Sequence, residues 1–298
     1  MLAVPAGELT IAEKSTANAV LQRSGVDIGA LNLVRKHLSL IKGGQLAARA
    51  RRTITFAISD VCTPVEDDPA VIGSGPTAGD DTTFADALRV ITSNHLEDEI
   101  PAGVLHRLHA GVAGQVTGPV RRDDPVLNEA AYWIVASRHD AMRAARDTAV
   151  RLGYHVHVVG PPTIGDARRA FAPLLEQALE LPRPACLIAS GETTVEVRGH
   201  GHGGRNQELA VAALEALAAA SPAALASIGT DGVDGPTDAA GALVSAEMWA
   251  ALGAQAEAQV AAALEENDSY PLLDRLGALV RSGPTGTNVG DLQVLLLP

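Results

Sequence analysis

Aromatic residues are scarce in this sequence, and cysteines are scarcer still. Only 3% of the 298 residues are aromatic although 47% are apolar, so the core must be built from Ala, Val, Leu and Ile, as is typical of helices packed on a β-sheet. The two cysteines, Cys62 and Cys186, are too few for a disulfide framework or a cysteine-only zinc site. The sequence has no apolar run of about 18 residues and no signal-peptide pattern, which predicts a cytoplasmic protein with no membrane partner.

Positive charge is also in short supply. The formal net charge is −12 and the pI is about 5.1, which argues against a nucleic-acid partner because nucleic-acid binding depends on basic side chains. We therefore expect a small-molecule partner. Lysine occurs only three times, so recognition of a phosphate would depend mainly on arginine, backbone N–H groups or a metal.

The order of predicted elements indicates an α/β fold. Apolar spacing predicts helices at 11–21, 31–50 (interrupted at Gly43-Gly44), 84–92, 139–152 and 166–179, and strands at 53–59, 132–136 and 154–159. Strand, helix and strand in succession are typical of parallel βαβ units in a doubly wound sheet.

A proline-rich segment at 182–184 predicts a domain boundary, which gives a first domain at 1–182 and a second at 183–298. The second domain has a long helix at 207–220, further helices at 253–265 and 272–280, and a closing strand at 292–297.

A glycine-rich loop leads into the long helix. Gly191 and Glu192 follow an apolar strand, and Gly203 and Gly204 precede Arg205 and Asn206 at the start of the helix. The N–H groups of a helix N-terminus attract anions, and an arginine fork suits phosphate or carboxylate. The alternative is a glycine turn in which Asn206 caps the helix.

Two other loops contain carboxylates. Asp231, Asp234 and Asp238 lie in a glycine-rich loop and predict Mg²⁺ ligands, although they do not fit the EF-hand spacing and Asp-Gly turns remain the alternative. Asp60 ends the predicted strand at 53–59, and open α/β sheets bind ligands at that edge.

Two further segments remain ambiguous from the residues alone. The basic residues Arg35, Lys36 and Lys42 can attract an acidic substrate or form a solvated helix face. The segment Gly283–Asp291 is similar to a phosphate loop but lacks its lysine and precedes a strand, so it lines a cleft or forms a plain turn.

Taken together, these segments resemble the glycerate 2-kinase family of the type that ends in a MOFRL domain, whose members are also called hydroxypyruvate reductases. The matching stretches occur in family order at 34–44, 59–61, 73–77, 83–88, 191–194, 203–208, 229–241 and 283–288. The resemblance implies a partial Rossmann-like doubly wound domain followed by a smaller α/β MOFRL domain. It also implies ATP- and Mg²⁺-dependent phosphorylation of D-glycerate at its 2-hydroxyl group.

The motifs above give the candidate site residues, and the resemblance implies that Arg205 faces the cleft and contacts substrate or phosphate. Arg205 and Asp60 are the candidate catalytic residues, and Asp231, Asp234 and Asp238 are the candidate metal ligands. The candidate substrate- or phosphate-binding residues are Lys36, Gly73, Ser74, Gly75, Thr77, Gly191, Glu192, Gly203, Gly204 and Asn206.

This sequence departs from the family at two places. Members begin with a further segment that contains a strand, a lysine turn and a Ser- and Gly-rich loop, and the resemblance implies that this chain lacks it. A Gly-Ser-Asn tripeptide is replaced by Ala136-Ser137-Arg138. We therefore expect incomplete folding, little kinase activity, or association with another copy as a homodimer. A hydroxypyruvate reductase and a catalytically silent relative that retains ligand-binding surfaces are the alternative functions.

Overall fold

The structure is a computed structural model that describes residues 3–50 and 52–298. The chain divides into two compact units, one formed by Met1–Ala57 and Val65–Val135 and the other by Ile58–Pro64 and Ala136–Pro298. The predicted division after residue 182 does not coincide with this one, because strands on both sides of that residue pair in a single sheet.

The first unit is mainly helical. Its helices are α1 (Ile11–Arg23), α2 (Ile28–His37), α3 (Gln45–Arg49), α4 (Phe84–Ser93) and α5 (Ala102–Val112). Leucines and isoleucines from these helices form its core, with Leu21, Leu31, Ile91 and Leu108 fully or almost fully buried. α5 was not predicted, because glycines lower helix propensity. Gly111 is required there, since a Cβ atom at this position would lie 2.1 Å from the ring of Phe84.

Strands β1 (Thr53–Ile58) and β2 (Ala130–Ala136) form a separate two-stranded sheet. The N–H of Thr53 donates to Glu129 and the N–H of Ser59 to Ala136, so the two strands run in the same direction. Large apolar side chains of this sheet are exposed, and the ring of Phe56 stacks on Trp133 with centroids 5.7 Å apart.

The second unit has a seven-stranded sheet. Its strands are β3 (His155–Val158), β4 (Thr163–Asp166), β5 (Ala185–Thr194), β6 (Ala224–Gly229), β7 (Gly241–Ser245), β8 (Leu279–Val280) and β9 (Asp291–Leu297). The order is β3-β5-β9-β6-β7-β8, and β4 also pairs with β5. Only β3 and β4 are parallel to β5, whereas the remaining pairs are antiparallel. The fold is α/β as predicted, but the sheet is mixed instead of uniformly parallel.

Six helices accompany this sheet: α6 (Arg138–Arg151), α7 (Ala167–Leu179), α8 (Arg205–Ala219), α9 (Ala246–Leu252), α10 (Ala256–Glu265) and α11 (Ser269–Arg275). Alternate residues of β5 point to opposite faces. Leu187 packs in the core with α7 and α8, whereas Cys186 and Ile188 pack with Met142 of α6. The helix predicted at 272–280 ends earlier, at Arg275, because a turn follows it and Leu279–Val280 form β8.

Within the described residues, no helix is long and apolar enough to cross a membrane.

Candidate functional site

A cleft of about 670 Å³ lies in the second unit, next to the N-terminus of α8. It is lined by the end of β5, the glycine-rich loop, the first turn of α8 and the loop after β6. The predicted site residues that line it are Gly203, Gly204, Arg205, Asp231 and Asp234. The structure thus brings together residues from two motifs that are far apart in the sequence.

Arg205 is held by two carboxylates. Its Nε and Nη2 atoms donate to the two oxygens of Asp291 at 2.8 and 3.0 Å, and its Nη1 atom donates to Glu192 at 2.8 Å. Asp291 is fully buried, whereas the side chains of Arg205 and Glu192 are 32% and 49% exposed. The Nε and Nη2 atoms of Arg205 therefore face Asp291. Only Nη1 is available to an incoming anion, which would have to displace Glu192.

The burial of this pair changes both pKa values. Burial opposes the charge of Arg205, but hydrogen bonds and attraction from Asp291 and Glu192 outweigh it and raise the pKa of Arg205. Burial raises the pKa of Asp291 to about 6, since Arg205 offsets only part of the desolvation cost. Asp291 ends the Gly283–Asp291 segment but was not among the predicted site residues, although it orients Arg205. Its signal was a carboxylate at the start of an otherwise apolar strand.

The N-terminus of α8 is already occupied by a carboxylate of the protein itself. Asp234 accepts the backbone N–H of Asn206 at 3.1 Å and that of Gln207 at 2.9 Å. Gly204 allows this approach, because a Cβ atom there would lie 2.3 Å from Asp234 Cγ. The predicted anion site at this helix end therefore exists, but Asp234 fills it.

The side chain of Asn206 is hydrogen-bonded to other protein side chains. Its Nδ2 atom donates to Asp234 at 3.3 Å and its Oδ1 atom accepts from Ser227 at 2.7 Å. The side chain is buried, so direct substrate binding by Asn206 is not favoured by this geometry.

The three predicted metal ligands do not converge. Asp234 binds the end of α8, whereas Asp238 accepts from Tyr270 at 2.7 Å and from Arg281 at 3.2 Å. Asp231 accepts the N–H of Val233 at 3.0 Å in its own turn and lines the cleft. In the part of the chain that the structure describes, no group of three or more His, Cys, Asp or Glu side chains could hold a metal ion. Two of the three carboxylates are thus engaged with other protein groups, and a metal-binding role for the three stays a prediction.

The glycine-rich loop is fixed by Asn267, which sequence reasoning also missed. The Oδ1 atom of Asn267 accepts the N–H groups of Arg198 and Gly199 at 2.7 and 3.0 Å. Its Nδ2 atom donates to Glu208 of α8, which also accepts from Arg168 at 2.6 Å. These amides thus bind protein groups and do not form an open cradle for a phosphate.

Gly191 and Asp60 have other surroundings. A Cβ atom on Gly191 would lie 2.1 Å from the carbonyl oxygen of Thr163, so this glycine allows β4 to pair with β5. The exposed Asp60 accepts from Asn288 Nδ2 at 2.8 Å, which joins it to the loop that precedes β9. No described contact joins Asp60 to Arg205, so a catalytic role for Asp60 stays a prediction.

The remaining predicted residues lie in the first unit. Ser74 and Gly75 donate their N–H groups to carbonyls of the same turn, and their own carbonyls accept from Gly43 and Gly44. Thr77 shares a 2.6 Å hydrogen bond with Thr55. Gly73 accepts from Lys42 at 3.0 Å through its carbonyl oxygen. This loop thus presents carbonyl oxygens to its neighbours, and the predicted phosphate contacts of its amides stay untested.

Lys36 does not have the free charge that a phosphate ligand requires. Its Nζ atom forms a buried ion pair with Asp80, which also accepts the N–H of Thr82 at 2.9 Å. Burial favours the neutral form of Asp80, but hydrogen bonds from Lys36 and Thr82 lower the pKa of Asp80 overall. Lys36 is therefore neutralised within the protein.

Known proteins match this chain along its whole length. The MOFRL family matches residues 185–291, and a domain of unknown function (DUF4147) matches residues 1–109. The chain is 33% identical to the glycerate 2-kinase of Pyrococcus horikoshii over 99% of its own length and 67% of that protein. It is 34% identical to the D-glycerate 2-kinase of Thermotoga maritima over 99% of this chain and 69% of that protein. The crystal structure of a Thermotoga maritima glycerate kinase superposes with a TM-score of 0.83 and 34% identity, covering 99% of this chain and 69% of that one.

Proposed function

Because the chain belongs to the glycerate 2-kinase family, we propose that it takes part in the transfer of the γ-phosphoryl group of ATP to the 2-hydroxyl group of D-glycerate. The observation that carries this proposal is the partly exposed guanidinium of Arg205, which lines the cleft and is held there by Asp291. Glycerate and ATP are both anionic, and phosphoryl transfer depends mainly on positioning and on cations that neutralise developing charge.

We assign Arg205 the role of an anion clamp. Asp291 fixes two of its nitrogens, so the guanidinium is oriented before any ligand binds. Glu192 is half-exposed and holds only Nη1, so a substrate carboxylate or a phosphate can replace it. In this assignment Glu192 occupies Nη1 of Arg205 when no ligand is bound.

A magnesium ion in this family's reaction neutralises charge on the transferred phosphate. Asp231 fits such an ion, because it lines the cleft and forms no ion pair with a described residue. Mg²⁺ takes one or two protein carboxylates together with phosphate oxygens and water. One carboxylate is therefore sufficient if ATP provides the remaining ligands.

A hydroxypyruvate reductase has less support. A dinucleotide cofactor places its pyrophosphate on the N–H groups of a helix that follows a glycine-rich turn. The only comparable glycine cluster, Gly199–Gly204, precedes α8, and the first N–H groups of α8 are bonded to Asp234. A buried carboxylate at that point repels a pyrophosphate.

The test is formation of 2-phosphoglycerate by the purified chain. ADP release would be coupled to NADH oxidation, and enolase would identify the product as the 2-phosphate. Turnover must require ATP, D-glycerate and Mg²⁺ together. No ADP release above that of an Arg205→Met variant would favour the catalytically silent alternative, and NADH oxidation with hydroxypyruvate in the absence of ATP would favour the reductase.

A further inference from the structure

Three cations of the first unit lie close enough to repel one another, and no described carboxylate is paired with them. They are Lys14 on α1, Arg35 on α2 and Lys42 in the loop before α3. Within the described ranges, 3–50 and 52–298, no carboxylate forms an ion pair with any of them. The neighbouring Lys36 differs, since Asp80 neutralises it.

Lys14 is the most unusual member of this cluster. Its side chain belongs to the buried face of α1, and the residue is only 6% exposed. Its Nζ atom has no hydrogen-bond partner among the described residues and is inaccessible to solvent. A buried ammonium group normally has a partner, because an uncompensated buried charge is costly. Lys14 therefore lacks a counter-ion that its surroundings require.

Hydrogen bonds to neutral groups position the other two cations. Arg35 donates from Nε to Asn18 at 3.2 Å and from Nη1 to Asn32 at 3.4 Å. Lys42 donates to the carbonyl oxygen of Gly73 at 3.0 Å. Asn32 also accepts from the hydroxyl group of Ser74 at 3.3 Å, so this loop lies beside the cluster. None of these partners carries a negative charge.

The three cations act on one another. Burial, Lys42 and Arg35 lower the pKa of Lys14 to about 8. Burial, Arg35 and Lys36 also lower the pKa of Lys42. Each shift has the same cause, which is positive charge held close together away from water. An anion bound among the three cations would offset their mutual repulsion. It would also accept the hydrogen bond that the Nζ atom of Lys14 lacks.

We propose that Lys14, Arg35 and Lys42 bind a phosphate group of a small phosphorylated molecule in the first unit. Phosphate suits the cluster better than a single carboxylate, because it has more negative charge and more acceptor oxygens to offset three cations. Lys14, Arg35 and Lys42 all belong to the first unit, whereas the residues that line the cleft at Arg205 belong to the second. The phosphate site does not depend on the reaction proposed for that cleft.

The test is ligand-induced thermal stabilisation of the full chain, measured by calorimetry at constant ionic strength with pyrophosphate, ATP and D-glycerate. We expect pyrophosphate and ATP to raise the Tm of the wild type. Lys14→Met and Lys42→Met should each weaken pyrophosphate binding by about tenfold or more. Arg23→Gln is the matched control, since Arg23 lies on the same helix with an exposed side chain and should leave binding unchanged.

A second readout separates binding from a loss of folding. Without ligand, Lys14→Met should unfold at a higher temperature than the wild type, because it removes a buried, unpaired charge. A variant that is more stable and yet insensitive to pyrophosphate would support the site.

Three outcomes would overturn the proposal: equal stabilisation of Lys14→Met and wild type by pyrophosphate, no stabilisation of the wild type by either phosphate ligand, or stabilisation by D-glycerate alone. Stabilisation by ATP without pyrophosphate would also count against it, because the nucleoside would then provide the binding. Absence of kinase activity with intact pyrophosphate binding would reject only the proposed function.

Discussion

Asp291 and Arg205 form a two-point contact, with Nε and Nη2 of the arginine 2.8 and 3.0 Å from the two carboxylate oxygens. The aspartate lies at the start of β9 and the arginine at the start of α8, so the contact ties the central sheet to the helix beside the cleft. The orientation of the guanidinium is therefore set by the fold before a ligand arrives.

This contact predicts that lysine cannot replace Arg205. A lysine has one nitrogen, so it cannot bind both oxygens of Asp291 and also present a donor to the substrate. We expect Arg205→Lys to lower kcat/KM for glycerate by about 10²-fold. Steady-state kinetics would measure this, with the exposed Arg198→Lys as the control. Similar kinetics for the two variants would remove Arg205 from the mechanism.

Asp291 should control the pH dependence of the reaction. The pKa of Asp291 is about 6 because of burial, and only the ionised form can hold the Arg205 fork. We expect kcat/KM to fall as the pH decreases through about 6 and to be constant above it. Asp291→Asn should be less active at pH 8 and should lack this acidic limb. A profile that has the same limb in the variant would assign it to another group.

Asp234 should stabilise the protein, whereas Asp238 should not. Asp234→Ala leaves the N–H groups of Asn206 and Gln207 without an acceptor, which costs about 1–3 kcal/mol of unfolding free energy. Asp238 is exposed, and its loss should change stability little. Urea denaturation of the two alanine variants provides the comparison, and equal midpoints would contradict the structural role of Asp234.

Asp231 is the carboxylate in this loop that we expect to affect the Mg²⁺ dependence of turnover. Asp231→Asn should raise the Mg²⁺ concentration for half-maximal turnover, because a neutral amide binds this hard cation more weakly. Asp238→Asn is the matched control in the same loop. An unaltered Mg²⁺ dependence in Asp231→Asn would assign the loop a purely structural role.

The two-stranded sheet should make the chain self-associate. Ile54, Phe56, Trp133 and Val135 are each 50% or more exposed, and contiguous apolar surface of this kind favours contact between copies. We expect the sedimentation coefficient to rise with protein concentration. The double variant Phe56→Ser, Trp133→Ser should sediment as a single species over the same range, whereas Val112→Ser, which alters an exposed apolar residue on α5, should behave like the wild type.

The sequence was sufficient to predict most of the elements and the family. Helical periodicity predicted α1, α4, α6, α7 and α8, and apolar alternation or short apolar runs predicted β1, β2, β3 and β9. The pairing of these strands could not be predicted from the sequence, because antiparallel contacts such as that between β5 and β9 join residues about a hundred positions apart. Local patterns do not contain that information.

At the site, the sequence identified Arg205 but not what surrounds it. Residue type alone predicted that Asp234 binds a metal, whereas the structure bonds it to two backbone N–H groups. The difference arises because a carboxylate is equally suited to a cation and to a helix N-terminus. Only the fold decides which of the two lies beside it. Asp291 and Asn267 were missed for the same reason, since their partners lie on distant segments.

Trp133, on which Phe56 stacks, also makes the first unit visible by intrinsic fluorescence. The sequence contains only two tryptophans, and one lies in each compact unit. Trp133 is half-exposed on the two-stranded sheet, whereas Trp249 is partly buried against the core of the second unit. Single-tryptophan variants made by Trp249→Phe and Trp133→Phe therefore provide a separate intrinsic fluorescence signal for each unit. Denaturation curves of the two variants would reveal whether both units unfold in one cooperative transition or in two.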